Sequence, residues 1–237
     1  MNTFLFDLDG TLLPMDQDLF IKLYFKGLIK HLQPYHILPE DLISAVNYGT
    51  GAMVLNDGTI SNEERFWSAF ASKLGDDIRK LEPVFIDFYR TSFHEAKAST
   101  KTSPYTAKII NLLKQKGYDI IIATNPLFPQ IATYNRIDWA GFSPSDVSYV
   151  TTYETCTYCK PNLAYYTEIL DRMKKKPEDC MMVGNNVEED MQVHKLGLAR
   201  YLITDCLINE NDTDISDILH GTMEQFYEFV ESLPSIQ

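Results

Sequence analysis

The sequence predicts an α/β protein, a mostly parallel sheet covered by helices on both faces and interrupted after its first strand by a bundle of helices. Three observations predict it. A short apolar run over residues 3–8 reads as a buried strand. From about Asp16 to Phe93 the apolar residues fall almost entirely at helical spacing. After Ser103, amphipathic helices alternate with near-continuous apolar strands, the pattern of repeated βα units with a sheet buried on both sides.

In chain order, the first strand ends in Asp7-Leu8-Asp9-Gly10-Thr11. A first helix spans Asp18 to His31, with Phe20, Leu23, Tyr24 and Leu28 in phase, and ends near Pro34. Pro39-Glu40-Asp41 opens a second, followed by a glycine-rich segment at Tyr48-Gly49-Thr50-Gly51 that reads as a loop able to reach a pocket, as does Asn56. Ser61-Asn62-Glu63-Glu64 is a capping box for a third, and the fourth runs from about Asp77 towards Phe93, bent or split at Pro83. The block is too long for a loop between neighbouring strands and reads as an inserted helical-bundle cap. Cap residues 16–100 divide a core formed by 1–15 and 101–237, with hinges near 14–17 and 95–102. Ser103-Pro104 caps a helix that closes at Gly117. Strands follow at Asp119 to Thr124, Val147 to Thr151, Cys180 to Val183 and Tyr201 to Thr204, and a helix from Thr222 to Val230 comes last. The whole is a Rossmann-like, three-layer α/β/α core carrying a helical cap.

The 237 residues are enough for a sizeable core, and 45% apolar with 23% charged residues is ordinary for a soluble globular chain. A formal charge of −12 argues against nucleic acid or an anionic membrane as partner. It leaves room for a small phosphorylated metabolite, because a lysine, a cation and backbone amides can reverse the field within one pocket. Met1-Asn2-Thr3 opens neither a basic nor an apolar leader, and no apolar run approaches membrane-spanning length, so a cytoplasmic location is expected. Cys156 and Cys159 have the spacing of half a zinc knuckle, but Cys180 and Cys206 are isolated, so reduced structural thiols are expected. The sequence carries no signal of oligomeric state.

Ligands of such sheets gather beyond the carboxyl ends of the strands. Four polar clusters follow strands here: Asp7/Asp9/Thr11, Thr124-Asn125, Lys160-Pro161, and Gly184-Asn185-Asn186 through Asp190. Singly, each has an ordinary explanation: a turn, a helix cap, a solvated lysine, an acidic helix start. Together they point to chemistry on a phosphate. Asp7 at the strand end supplies an oxygen nucleophile, and Asp9 a general acid that then serves as base for water. Thr124 and the Asn125 amide donate to phosphoryl oxygens, with Thr11 nearby, and Lys160, directly before a Pro161 that fits the first position of a helix, brings a point charge. Asn185, Glu188, Glu189 and Asp190 are oxygen donors of the type Mg²⁺ takes.

These residues resemble the haloacid dehalogenase-like hydrolases: Asp7-Leu8-Asp9-Gly10-Thr11 matches the first motif, Thr124-Asn125 the second, Lys160 the third, and Gly184-Asn185-Asn186-Val187-Glu188-Glu189-Asp190 the fourth. The core resemblance covers residues 1–13 and 103–205, and the helical insertion looks like the cap of the phosphoglycolate phosphatase-like branch. The resemblance implies a Mg²⁺-dependent phosphatase with a nucleophilic Asp7, acid/base Asp9, phosphate-binding Thr124 and Asn125, and charge-neutralising Lys160. It places Mg²⁺ on Asp7, the Asp9 carbonyl and the fourth motif, with Asn185, Glu189 and Asp190 as candidates. Asp9 argues against carbon–halogen cleavage, since true dehalogenases of the family lack that second aspartate. Asn185 departs from the usual aspartate, which predicts weaker metal binding or ligation shifted to Glu189 or Asp190. A sugar-phosphate mutase of the same fold and a non-catalytic binding relative remain the alternatives. In the cap, Phe20 and Tyr24 read as core or cleft, His94 as a residue near the second hinge, and Lys22, Lys26 and Lys30 as undistinguished lysines.

Overall fold

In the computed structural model, which describes residues 1–236, the first apolar run forms β1 (Thr3–Phe6), and all four of its residues are buried. It lies inside a six-stranded sheet with β2 (Asp119–Ile122), β3 (Tyr149–Val150), β4 (Cys180–Gly184), β5 (Ala199–Ile203) and β6 (Leu219–Gly221), in the order β3-β2-β1-β4-β5-β6. Every pairing is parallel, with Leu5 opposite Ile121 on one side and Met182 on the other. Strand alternation sorts the side chains into two layers. Phe4 and Phe6 join Ile120, Ile122, Met181 and Val183 on one face, under α5 (Thr106–Gln115) and α8 (Met223–Ser232). Leu5, Ile121 and Met182 face Tyr165, Tyr166 and Ile169 of α7 (Leu163–Met173) on the other. This is the three-layer arrangement expected, with β6 as an addition too short to announce itself.

The insertion contains α1 (Gln17–Leu32), α2 (Pro39–Val54), α3 (Asn62–Leu74) and α4 (Glu82–Arg90). Asp16 caps α1 by accepting the Leu19 N–H at 2.9 Å. Gly49 and Gly51 lie inside α2 and not in a loop after it. At Gly49 tertiary packing overrides the poor propensity, since a Cβ there would stand 2.7 Å from the Phe66 ring of α3. Ser61 caps α3 through the Glu64 N–H at 3.2 Å, but the box is half made, because the Glu64 carboxylate instead holds Arg79 at 2.7 Å. Pro83 does split the fourth element: short 3₁₀ segments precede and follow α4, with the proline in its first turn, where its missing N–H costs nothing.

The chain leaves the sheet and returns to it side by side: the Asp16 N–H donates to the Ser99 carbonyl at 2.9 Å and the Lys101 N–H to the Pro14 carbonyl at 2.8 Å. The insertion also docks directly on the βα part. The first two N–H groups of α3, which have no partner within a helix, donate to the Cys156 and Tyr153 carbonyls, both at 2.9 Å. Buried Asn62 adds a bond to the Tyr158 carbonyl at 3.1 Å. Phe20, Tyr24 and Phe93 pack their rings on Phe128 and Trp139, so one apolar cluster runs across the junction. Among the described residues no helix is long and apolar enough to cross a membrane.

Candidate active site

β1 stops at Phe6, but its ladder continues one step, the Asp7 N–H donating to the Val183 carbonyl at 2.9 Å. Gly10 then turns the chain at φ +84°, a left-handed conformation that also lets the backbone pass Asn185, whose Nδ2 would lie 2.4 Å from a Cβ. The Thr11 hydroxyl returns to this turn, lying 3.4 Å from Asp7 Oδ2 and 2.9 Å from Asn185 Oδ1.

Lys160 arrives from the segment between β3 and α7. Asn162 caps that helix by accepting the Ala164 N–H at 2.9 Å, so Pro161 lies before the helix, which corrects the first helical position that the sequence suggests for it. Lys160 is fully buried, and its Nζ donates to Asp7 Oδ1 at 2.8 Å and to Asp190 Oδ1 at 2.6 Å. The other oxygen of Asp190 accepts the Asn186 N–H at 3.1 Å. Both oxygens of Asp190 are thus engaged; Asp190 and Glu189 both border the cavity, with the Glu189 oxygens 3.4 Å from Asn125 Nδ2. Glu188 turns away to Asn211. Asn185 is buried, its Nδ2 donating to the Cys206 carbonyl at 2.7 Å, which aims Oδ1 at Thr11.

Asp7, Asp9, Thr124, Asn125, Asn185 and Glu189 line one cavity of about 130 Å³ at the carboxyl edge of the sheet. The Thr124 carbonyl is held by the Thr151 and Tyr165 hydroxyls, at 2.6 and 2.8 Å, and Asn125 Oδ1 accepts the Lys160 N–H at 3.2 Å.

Sequence reasoning missed Arg136. It lies on α6 (Gln130–Ala140), buried, paired with the Asp9 carboxylate and stacked at 4.5 Å on the Phe128 ring. A signal existed: Arg136 falls in helical phase with Ala132, Thr133, Ile137 and Ala140, all buried, and a buried arginine needs a partner. Four carboxylates (Asp7, Asp9, Glu189, Asp190) thus meet two cations (Lys160, Arg136), leaving the site acidic. Burial pushes the Asp9 carboxyl up, Arg136 draws it down, and Asp7 adds to the rise. Burial also raises Glu189 and Asp190, in both cases opposed by Lys160. For Lys160 burial acts to lower the ammonium, but Asp190 and Asp7 outweigh it and hold the group well above the usual lysine value.

Among the described residues no three His, Cys, Asp or Glu side chains converge on a metal position. The oxygens that border the cavity are instead mixed: the Asp7 carboxylate, the Asn185 amide that accepts from Thr11, the Glu189 carboxylate 3.4 Å from Asn125 Nδ2, and the Asp9 carbonyl, which takes no hydrogen bond among the described residues. A set of one or two carboxylates and neutral oxygens in an acidic cavity suits Mg²⁺, which keeps much of its water and shares substrate oxygens. Zinc fits poorly, since no thiol or imidazole lines the cavity.

Other sequence candidates lie elsewhere. Tyr48 is exposed beneath the Lys73 ammonium, Asn56 bonds Asn62 within the helices, and His94 packs against Trp139 outside both this cavity and its larger neighbour. Lys22, Lys26 and Lys30 line a separate groove beside Pro39. Cys156, Cys159 and Cys180 are buried free thiols. Thr50, Phe20 and Tyr24 line the larger cavity.

A family model described as haloacid dehalogenase-like hydrolase matches residues 1–195. The glyceraldehyde 3-phosphate phosphatase of Methanothermobacter thermautotrophicus is 29% identical over 134 residues, a match spanning 56% of each chain. The glyceraldehyde 3-phosphate phosphatase of Methanocaldococcus jannaschii is 23% identical over 97% of this chain and 96% of its own. In fold, the chain is similar to a magnesium-bound HAD-hydrolase of Bacillus subtilis, with a TM-score of 0.56 and 17% identity over 97% of this chain and 98% of that one.

Proposed function

The chain belongs to the haloacid dehalogenase-like hydrolases, and we propose that within the family it is a phosphatase acting on a small phosphomonoester through Asp7. The observation that carries this reading is the buried Lys160 ammonium, which donates to both Asp7 and Asp190 and holds Asp7 in the wall of an oxygen-lined cavity. An Asp7 oxygen attacks phosphorus while the bond from phosphorus to the alcohol oxygen breaks, and the proton of Asp9 passes to that alcohol. Asp9 then takes a proton from water, whose oxygen attacks the aspartyl-phosphate and frees Asp7 with inorganic phosphate. Thr11, Thr124, the Asn125 amide and Lys160 hold the phosphoryl oxygens in line. Asp7, the Asp9 carbonyl and Asn185, with Glu189 behind them, would hold Mg²⁺, which when bound offsets the combined charge of site and phosphate. Residues 16–100 would act as the lid over this site, turning about the paired segments near 14–17 and 95–102. The relatives' names support a small phosphorylated metabolite as substrate.

Phosphate release from glyceraldehyde 3-phosphate, phosphoglycolate, sugar phosphates and nucleotides, with Mg²⁺ and with chelator, tests the reading. Release that requires Mg²⁺ is expected. Silence across the panel would transfer the chain to the binding relatives, and isomerised sugar phosphate without free phosphate would make it a mutase.

Two further results are expected. The reaction needs Asp9 protonated at the start, and Arg136 favours its ionised form. Arg136→Gln should therefore keep Asp9 protonated to higher pH and move the alkaline limb of kcat/KM upwards; a limb that stays put would remove Asp9 from the acid role. Asn185→Asp adds a charge at the metal position but sets a carboxylate oxygen against the Cys206 carbonyl now bonded at 2.7 Å. The metal-free variant should lose about 1–3 kcal/mol of stability, while Mg²⁺ raises its melting temperature more than that of the natural protein. Equal Mg²⁺ responses would show that Asn185 does not face the ion.

A further inference from the structure

We infer that Gln17 is a specificity residue, hydrogen-bonding a hydroxyl or carbonyl oxygen on the carbon next to the phosphoester carbon of the substrate. This deepens the phosphatase reading and rests on it. Beside the phosphate cavity lies a larger one of about 340 Å³, between the helical insertion and the βα core. Five residues stand in the walls of both: Asp9, Gln17, Leu127, Phe128 and Arg136. Asp9 is the residue assigned to protonate the leaving oxygen, so an ester with its phosphorus at Asp7 sends its alcohol through this junction. The first carbons beyond the leaving oxygen therefore pass these five residues.

Four of the five have little to offer such an oxygen. The side chains of Leu127 and Phe128 are apolar. The Asp9 carboxylate and the Arg136 guanidinium hold each other, and Arg136 also donates to the Ala132 carbonyl and the Thr133 hydroxyl, both at 3.3 Å. Gln17 differs: it is exposed, and its side chain has no hydrogen-bond partner among the described residues. Its amide carries both donors and an acceptor, so it can match a hydroxyl or a carbonyl. An oxygen brought to this junction gives up water, and Gln17 supplies the replacement bond. The backbone of Gln17 is also held from the core side. It opens α1 directly after Asp16, which caps the helix at the Leu19 N–H and donates its own N–H to the Ser99 carbonyl. A residue beside the hinge changes its distance to the core least when a lid turns. The remaining polar groups stand away from the junction. Asn47, Thr50 and Tyr153 line the larger cavity alone, and the Tyr24 and Tyr89 hydroxyls bond each other at 3.2 Å.

The test compares the natural protein with Gln17→Leu, which removes both hydrogen-bonding groups and keeps a side chain of similar length. The substrates are propyl phosphate, 3-hydroxypropyl phosphate and the two enantiomers of 2-hydroxypropyl phosphate, with Mg²⁺. Each leaving oxygen is a primary alkoxide, and taking the ratio between the two proteins cancels what acidity differences remain. For the better 2-hydroxypropyl enantiomer, Gln17→Leu is expected to lower kcat/KM about 3- to 10-fold more than it does for propyl phosphate. The 3-hydroxypropyl ester, whose oxygen lies one carbon farther on, should respond as propyl phosphate does. A loss shared equally by all the esters would show a merely structural role and overturn the inference, as would no loss at all; either leaves the phosphatase reading standing. Silence of the natural protein with these esters, while others of the wider panel release phosphate, would also overturn the inference alone. Silence with every ester would bring down the phosphatase reading and this inference with it.

Discussion

Asp7→Asn is expected to abolish phosphate release, lowering kcat by at least about a thousandfold, as removal of a catalytic nucleophile does, while the protein stays folded. The amide has the shape of the carboxylate, and its oxygen can still accept from Lys160, which also keeps Asp190. What disappears is the charged oxygen that forms the bond to phosphorus. The melting temperature should change little, because the variant removes one negative charge from a site that holds four carboxylates against two cations. Acid-quenched natural protein, caught during turnover, should carry phosphate on the peptide containing Asp7, and the variant should carry none. A variant retaining a tenth of the activity would remove Asp7 from the nucleophile's role whatever the substrate.

Lys160→Met is expected to cost both activity and the fold's stability. The ammonium is fully buried and joins Asp7 to Asp190, so the variant leaves two buried carboxylates facing each other with no cation between them. Removing one partner of a buried ion pair costs about 3–5 kcal/mol, and at about 2–4 °C per kcal/mol for a chain of this size the melting temperature should fall by roughly 6–20 °C. The sign of the pH dependence follows from burial, which raises Asp190 even with Lys160 present. Without the lysine the Asp190 carboxyl is raised further above about 7, so the deficit is still growing as pH rises through neutrality and shrinks as acid protonates Asp190. Adding Asp190→Asn to Lys160→Met should recover part of the loss, since one of the unpaired charges is gone. Thermal melts across pH check both statements, and a single variant within about 1 kcal/mol of the natural protein would contradict the linked triad.

Much of this arrangement can be read from the residues because strands announce both their course and their ends. β1, β2 and β4 are apolar runs that break into Asp7, Thr124 and Asn185, and a parallel sheet brings those breaks to one edge. Other parts had weak local signals that the tertiary structure overrode. Gly49 and Gly51 suggest a loop until α2 is seen to run through both, the ring of Phe66 needing the space at Gly49. Pro161 suggests a first helical position until the next residue, Asn162, is seen to be the cap, with the helix beginning at Leu163. Arg136 was missed because α6 mixes polar and apolar residues too evenly for its buried stripe to stand out, and its partner is far away in sequence. Asp190 and Lys160 were read separately, one as a metal ligand and one as a phosphate cation. Their bond belongs to the folded chain, and no spacing rule contains it.

The central position of β1 also sets an order of assembly. The strand bearing Asp7 is flanked by β2 and β4, and the four helices of the insertion separate it from both in sequence. The contacts that complete it are therefore among the most non-local in the molecule, and such contacts form late and slowly. During synthesis, Phe4-Leu5-Phe6 exists for a long interval as an unpaired apolar segment, while α2 and α3, neighbours in sequence, can already pack on each other. A chain halted before β4 lacks one edge partner for this strand and also lacks Asp190. Such fragments should be captured by chaperones or aggregate through that segment. Chemical competence is thus acquired only when the sheet closes around its earliest strand, and a partly made chain has no hydrolytic site to misuse.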